Sequence, residues 1–221
     1  MPSGYNKGDA YEQLVFNILQ QKGFLSPNAT RAGAGTGVDI KFLHNSGEHN
    51  LEVKLDLNAD YGQKMLRWDD GVWSWSCQDE TTELYTSIGV LEYINKKDII
   101  PYRYTIPQNE LTREQKSLDQ RNVKDYLPIS ISALHSYYRN KGCFYMQIGG
   151  YGFYHLSEDI LGLKTPQFNS NIRLRLRAKT IRSEPIYNYR FCAVLKLVGK
   201  PKKSPYDIEE KDGRVFPPIF L

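Results

Sequence analysis

Apolar residues recur at helical spacing near the start of the chain, and they alternate with polar residues in two later segments. Segment 9–23 repeats apolar positions every three or four residues, which predicts an amphipathic helix that ends near Gly23. Segments 38–43 and 50–55 alternate with a period of two, which predicts the paired strands of a β-hairpin. The apolar positions of the helix are Tyr11, Leu14, Val15 and Ile18.

The remainder of the chain mixes helical and strand-like patterns. Helices are predicted over 59–67 and 129–139, and the polar segment 107–124 predicts an exposed helix or an insertion. From Gly199 the chain is rich in lysine and proline, so we expect an extended tail that packs only through its apolar end, 215–221. Strand-like composition marks segments 72–76, 87–94, 143–148, 151–156, 172–181 and 189–198.

This order of elements predicts an α/β (α+β) fold. We expect a mixed β-sheet core flanked by helices, with a strand-rich C-terminal extension. A chain of 221 residues fits one domain. We therefore expect a single domain over 1–221, in which residues 1–100 form the core and residues 101–221 an elaboration.

The predicted hairpin places charged side chains together. In its second strand, alternation separates Leu51 and Val53 from Glu52 and Lys54, which share the other face. In its first strand the same alternation lets Asp39 face Glu52 across the hairpin. One cation can then be shared by the two carboxylates.

Two carboxylates and a lysine on one face suit phosphodiester hydrolysis. Mg²⁺ prefers oxygen ligands and commonly lies between one or two carboxylates and a substrate phosphate. A bound metal can activate water and stabilise the charge that develops on the phosphate. Lys54 could orient the attacking water or neutralise that charge. The alternative is ordinary surface charge on a hairpin.

The sequences Gly37-Val-Asp39-Ile and Leu51-Glu-Val-Lys54 resemble the PD-(D/E)xK signature of a nuclease superfamily. Val38 stands where the name-giving proline would be. The resemblance implies a restriction-endonuclease-like fold and a Mg²⁺-dependent deoxyribonuclease, with Mn²⁺ able to substitute. It also implies that Asp39 and Glu52 bind the metal and that Asp39, Glu52 and Lys54 are catalytic.

Two further residues extend the resemblance. Glu12, on the predicted opening helix, is similar to an additional acidic metal ligand in several branches of the superfamily, although the helix dipole also favours an acidic residue there. Gln63 is similar to a glutamine on the helix that follows the signature lysine. Over its first 65 residues the chain is most similar to archaeal-type Holliday-junction resolvases and related phage or restriction nucleases.

The glycine-rich segment 33–37 precedes Asp39. It lacks the GK[ST] ending of a P-loop and runs into a strand, so a nucleotide-binding loop is not expected. Close approach to a nucleic-acid backbone is one interpretation, with Arg31 as a phosphate contact. An ordinary flexible turn is the other.

Segment 171–180 carries a row of cations on one face of a predicted strand. Alternation puts apolar residues on the opposite face. Nucleic-acid phosphates would stabilise such a row, and the alternative is an edge strand that charge protects from edge-to-edge pairing. The cations are Arg173, Arg175, Arg177 and Lys179.

Composition narrows the classes of function. The net charge of +4 permits an acidic partner, and no apolar run approaches the roughly 20 residues of a membrane helix, so no membrane partner is expected. The three cysteines are widely spaced and lack a metal-ligand pattern, which favours an intracellular location, either cytoplasmic or in the nucleoid or nucleus. We expect DNA as substrate and partner, and a homodimer is compatible with cutting two strands. The alternatives are an RNA-directed nuclease and a non-catalytic nucleic-acid-binding module.

Overall fold

The computed structural model describes residues 7–31, 38–45, 47–180 and 188–219. The chain divides into two compact units. The first unit comprises Met1–Ala59, Tyr138–Asn171 and Gly199–Leu221, and the second comprises Asp60–Tyr137 and Ile172–Val198. The single domain expected from the sequence stays a prediction.

The described residues form runs of consecutive strands and runs of consecutive helices. None of the helices in these ranges combines the length and apolar character needed to cross a membrane. The helices are α1 (Lys7–Gln21), α2 (Glu80–Ser87), α3 (Val90–Asn95), α4 (Tyr102–Thr105), α5 (Arg113–Val123) and α6 (Ser132–Asn140). The strands are β1 (Ile40–His44), β2 (Gly47–Lys54), β3 (Tyr61–Asp69), β4 (Val72–Trp75), β5 (Asp125–Ile129), β6 (Cys143–Ile148), β7 (Gly152–His155), β8 (Ile172–Thr180) and β9 (Tyr189–Leu197).

The first unit contains a mixed four-stranded sheet in the order β1-β2-β6-β7. β1 and β2 form the predicted hairpin, with Ile40 opposite Leu51, while β2 runs parallel to β6. Helix α1 packs against β1 and β2. The predicted opening helix and hairpin are therefore confirmed, and β2 is an interior strand of the sheet.

A shared apolar core holds α1 on this sheet. Val15 and Leu19 of α1 are fully buried, as are Phe42 of β1 and Leu51 of β2. Burial of each such side chain stabilises the fold by about 1.5–3 kcal/mol. Leu14 is 42% exposed, so the buried stripe of the helix lies slightly to one side of the predicted one.

The second unit contains a five-stranded antiparallel sheet in the order β4-β3-β9-β8-β5. Helices α2, α3 and α5 pack against its strands. Strand β8, which carries the predicted row of cations, pairs with β5 on one side and β9 on the other. Charge that protects an edge strand therefore does not explain Arg173 and Arg175, whereas Arg177 and Lys179 lie beyond the pairing with β5, which covers only residues 172–176.

Three predicted elements are wrong. Segment 59–67 is occupied by β3 and not by a helix, since pairing with β4 and β9 outweighs its helix-favouring composition. Segment 87–94 holds the end of α2 and most of α3 and not a strand. The tail packs more widely than expected, because Asp207 and Ile208 are fully buried whereas Val215 is 57% exposed.

Candidate active site

The hairpin of the first unit brings together the three residues of the predicted catalytic centre. The Lys54 ammonium forms an ion pair with Glu52 Oε1 and lies 3.6 Å from Asp39 Oδ2. All three side chains are less than one-fifth exposed, at 17%, 10% and 18% for Lys54, Glu52 and Asp39. One ammonium is thus shared by two carboxylates, and all three charged groups are largely shielded from solvent.

The backbone fixes the Asp39 carboxylate. Its Oδ2 accepts a hydrogen bond of 2.8 Å from the backbone N–H of Val53, the residue between Glu52 and Lys54. A hydrogen bond to an ionised acceptor is stronger than a neutral one, at about 1.5–3 kcal/mol. The position of Asp39 is therefore tied to the strand that carries the other two charged groups.

Glu52 is the most buried of the three, and a tyrosine helps to hold it. The hydroxyl of Tyr138, on α6, donates a hydrogen bond of 2.9 Å to Glu52 Oε1. Burial raises the pKa of the Glu52 carboxyl, whereas the neighbouring Lys54 ammonium opposes that rise. Sequence reasoning missed Tyr138, because nothing in segment 129–139 indicates which helical position meets β2.

Glu12 and Arg31 form an ion pair beside this centre. Arg31 Nη1 lies 2.7 Å from Asp9 Oδ1 and 3.3 Å from Glu12 Oε2. Burial raises the pKa of Glu12 to about 7, and the negative charge of Asp39 adds to the rise. Arg31 is therefore engaged with two carboxylates of α1. The glycine-rich segment 33–37 lies outside the described residues.

The residues of the centre fit a hard divalent cation. Asp39 and Glu52 supply carboxylate oxygens, and the raised pKa of Glu12 marks a place where a further positive charge would stabilise the ionised carboxyl. Among the described residues, no group of three or more acidic, histidine or cysteine side chains is arranged to hold an ion. A metal here would need water and phosphate oxygens as well, as Mg²⁺ sites commonly do. A ligand role for Glu12 stays a prediction.

Replacing Glu12 by glutamine should change how stability depends on pH in the metal-free protein. Because the folded-state pKa of Glu12 lies above its unfolded value, its contribution to stability is full at low pH and is lost as pH rises to about 7. After allowance for partial exposure, we expect the free energy of unfolding of Glu12→Gln to exceed that of wild type by about 2 kcal/mol near pH 8. Near pH 4 the two free energies should be equal. Denaturant titrations at both pH values measure this.

Glu158→Gln is the matched control for that experiment. Glu158 is exposed and pairs with Arg139 at the surface of the same unit, so its replacement should leave the pH dependence unchanged. An equal gain in both variants, or a gain at low pH, would contradict the environment described for Glu12.

Gln63 belongs to the second unit, where it lies on β3. Its Oε1 accepts hydrogen bonds from Arg177 at 3.3 Å and from Lys179 at 3.1 Å. The helix on which the family resemblance would place it is not formed. Its catalytic role stays a prediction, and its observed contacts are with the row of cations on β8.

The row of cations on β8 is confirmed as one face of the strand. Apolar positions of β8 are buried on the opposite face, and the register adds two cations that sequence reasoning missed. Lys196 lies opposite Arg173 and Arg190 lies opposite Lys179, so both project from the same face of the sheet. Only strand pairing reveals this, because β8 and β9 are separated in the chain. We call Arg173, Arg175, Arg177, Lys179, Arg190 and Lys196 the basic face.

The chain has a mixed α/β fold, as the sequence predicted. The chain shares this fold with HhaI endonuclease, whose solved structure is a complex with DNA: the TM-score is 0.50, the identity is 12%, and the likeness covers 86% of this chain and 92% of the other. At that identity the likeness establishes the fold alone. No protein-family model matches the chain, and no curated protein matches it in sequence.

Proposed function

We propose that this protein is a metal-dependent endonuclease that hydrolyses phosphodiester bonds in DNA. The observation that carries the proposal is the convergence of Asp39, Glu52 and Lys54 on one hairpin, with one ammonium between two carboxylates. The endonuclease-like fold supports it. The PD-(D/E)xK resemblance supplies the assignment of roles.

Asp39 and Glu52 would hold Mg²⁺, or Mn²⁺ in its place. When bound, such an ion lowers the pKa of a coordinated water and stabilises negative charge on a phosphate. Val53 and Tyr138 keep the two carboxylates in place through the hydrogen bonds described above. Pre-formed positions of this kind reduce the reorganisation that the reaction would otherwise require.

Lys54 contributes a positive charge at the same place. In the proposed reaction a water oxygen attacks phosphorus and the bond from phosphorus to the leaving sugar oxygen breaks. The attacking water gives up a proton to solvent, and the leaving oxygen takes up a proton from solvent. The Lys54 ammonium would donate a hydrogen bond to the attacking water or to a phosphate oxygen. Glu12 and Gln63 are assigned supporting roles on the resemblance.

DNA is proposed as the partner because two sets of cations can contact phosphates. Arg31 lies beside the centre in the first unit, and the basic face of the second unit presents six cations. Cations of this kind supply affinity that does not depend on base sequence and that falls with salt. The contacts that the sequence predicts and that we retain are Arg31, Arg173, Arg175 and Lys179; Arg177, which the sequence also predicts, forms an ion pair with Asp60.

Cleavage assays test the proposal. Wild type and Asp39→Asn would be incubated with supercoiled plasmid, a four-way DNA junction and single-stranded RNA, with Mg²⁺ or with EDTA. We expect wild type to cleave DNA with Mg²⁺ and not with EDTA, and Asp39→Asn to lose at least 100-fold in rate, the order of magnitude of one removed catalytic interaction.

Asp70→Asn is the control, because Asp70 occupies an exposed turn with φ of 49°, a conformation that asparagine also accepts. It should cleave as wild type does. Cleavage of RNA alone would replace DNA with RNA as substrate, and DNA binding without any cleavage would favour a non-catalytic binding module.

A further inference from the structure

The basic face is divided into two parts by its counter-ions. Asp60 forms one ion pair of 2.6 Å with Arg177 Nη2 and another of 3.1 Å with Lys196 Nζ. Gln63 Oε1 accepts hydrogen bonds from Arg177 and Lys179. Arg177 and Lys196 therefore share one carboxylate of their own unit, which holds both cations and offsets one of their two positive charges.

Arg173 and Arg175 are held differently. The Arg173 guanidinium lies over the ring of Tyr126, 3.7 Å from its centroid. Both arginines are half-buried, and the Nε atom of each, like that of Arg177, is buried without a hydrogen-bond partner among the described residues. Unlike Arg177, neither forms an ion pair within the described ranges, so no carboxylate of those ranges offsets their charges.

Half-buried guanidiniums without a carboxylate partner destabilise the fold unless an anion accepts their hydrogen bonds. A buried donor that lacks a partner destabilises a protein, because it has lost its hydrogen bonds to water. Arginine offers planar donor pairs that match phosphate oxygens, and stacking on Tyr126 orders one of these groups in advance. The face thus contains a part without carboxylate partners in the described ranges, ready to bind an anion, and a part whose cations already pair with Asp60.

We propose that Arg173 and Arg175 form the phosphate-binding subsite of the basic face, and that Asp60 is an internal counter-ion that withholds Arg177 and Lys196 from nucleic acid. The inference rests on the proposed DNA partner but not on catalysis. The occupant is the sugar-phosphate backbone of DNA. The aromatic ring beside these cations, Tyr126, is covered by Arg173, so the face offers charge and not an open ring for base stacking.

The subsite predicts different effects for substitutions that change charge by the same amount. Each arginine variant removes one positive charge, so an account based on net charge alone predicts equal losses for Arg175→Gln and Arg177→Gln. The proposed division predicts a loss only for Arg175→Gln. Asp60→Asn should strengthen binding, because it releases Arg177 and Lys196 to contact phosphate.

Fluorescence anisotropy with a labelled DNA duplex, in EDTA and across a series of KCl concentrations, measures these effects on the full chain. We expect Arg175→Gln to weaken binding about tenfold and to reduce the slope of log affinity against log salt by about 1. Arg177→Gln should leave affinity within about twofold and the slope unchanged, while lowering the melting temperature. Asp60→Asn should bind more tightly than wild type, with a steeper slope.

Equal losses for Arg175→Gln and Arg177→Gln would overturn the proposal, and so would Asp60→Asn binding no more tightly than wild type, or wild type failing to bind DNA. The Asp60 variant keeps the test decisive if Arg177→Gln does not fold. Cleavage is scored separately: an enzyme that cleaves but shows equal losses refutes only the subsite, whereas the expected slopes without cleavage refute only the catalytic proposal.

Discussion

Replacing Lys54 by methionine should remove DNA cleavage and also destabilise the protein. Methionine keeps most of the side-chain volume but leaves Glu52 buried without its cation. Breaking a buried ion pair by removing one partner costs about 3–5 kcal/mol. We expect a decrease of about 3 kcal/mol in the free energy of unfolding near pH 8, because Glu52 can relieve part of the cost by taking up a proton. The cleavage rate should fall at least 100-fold, as for other removed groups that stabilise developing negative charge.

Two further variants separate the loss of activity from the loss of stability. The double variant Glu52→Gln with Lys54→Met removes both charges, so its stability should return toward that of wild type while cleavage stays absent. Lys41→Met changes an exposed lysine on the neighbouring strand and should affect neither. Full cleavage by Lys54→Met, under conditions in which the variant is folded, would contradict the role assigned to Lys54.

Replacing Gly149 by alanine should destabilise the first unit by about 3 kcal/mol, at the upper end of the cost of overpacking a core. A Cβ at this position would lie 2.2 Å from the backbone oxygen of Leu55 and 3.2 Å from Tyr11 Cζ. The Leu55 backbone cannot retreat easily, because Gly149 N–H donates a hydrogen bond of 2.9 Å to the Lys54 carbonyl. The clash therefore displaces the end of β2, which carries Lys54. Thermal unfolding and cleavage rate should both be affected.

Gly199→Ala is the matched control for Gly149→Ala. A Cβ at Gly199 meets its nearest neighbouring atom at 3.5 Å, an ordinary van der Waals contact. We expect wild-type unfolding and cleavage for this variant. A Gly149→Ala protein as stable and active as Gly199→Ala would show that β2 and β6 do not approach each other at this point as described.

The hairpin and the opening helix could be predicted because their periodicity is local. Alternation over segments 38–43 and 50–55 assigns each residue to a face of its strand, and one apolar stripe places α1 on the sheet. Asp39, Glu52 and Lys54 lie close in sequence as well as in space. Their convergence was therefore predictable from the chain alone.

Other features of the site depend on contacts between distant segments. Tyr138 reaches Glu52 from 86 residues away, and Lys196 joins the basic face only through the register of β8 with β9. The parallel pairing of β2 with β6 is equally remote in sequence. No periodicity within one segment contains this information, because it arises from tertiary packing.

Two of the wrongly predicted elements show why composition alone did not predict the secondary structure. One depends on strand pairing with distant segments, and the other on a helix-capping signal that was overlooked. Segment 59–67 contains residues that favour helices, but Leu66 is buried in a strand paired on both sides. Segment 87–94 is rich in β-branched residues, yet a capping box at Asp79 and Thr82 begins α2 just before it. Gly89, with φ of 83°, then separates α2 from α3. The Asp-x-x-Thr spacing was visible in the sequence.

The central claim is that Asp39 and Glu52 hold a divalent cation against a DNA phosphate. The most direct measurement is a crystal structure of the wild-type protein with a DNA duplex and Ca²⁺, an ion that takes oxygen ligands at about 2.3–2.6 Å. The account predicts Ca²⁺ in contact with oxygens of both carboxylates and of one phosphate. A complex in which Lys54 alone bridges the two carboxylates, with DNA phosphates and the ion bound elsewhere, would contradict it.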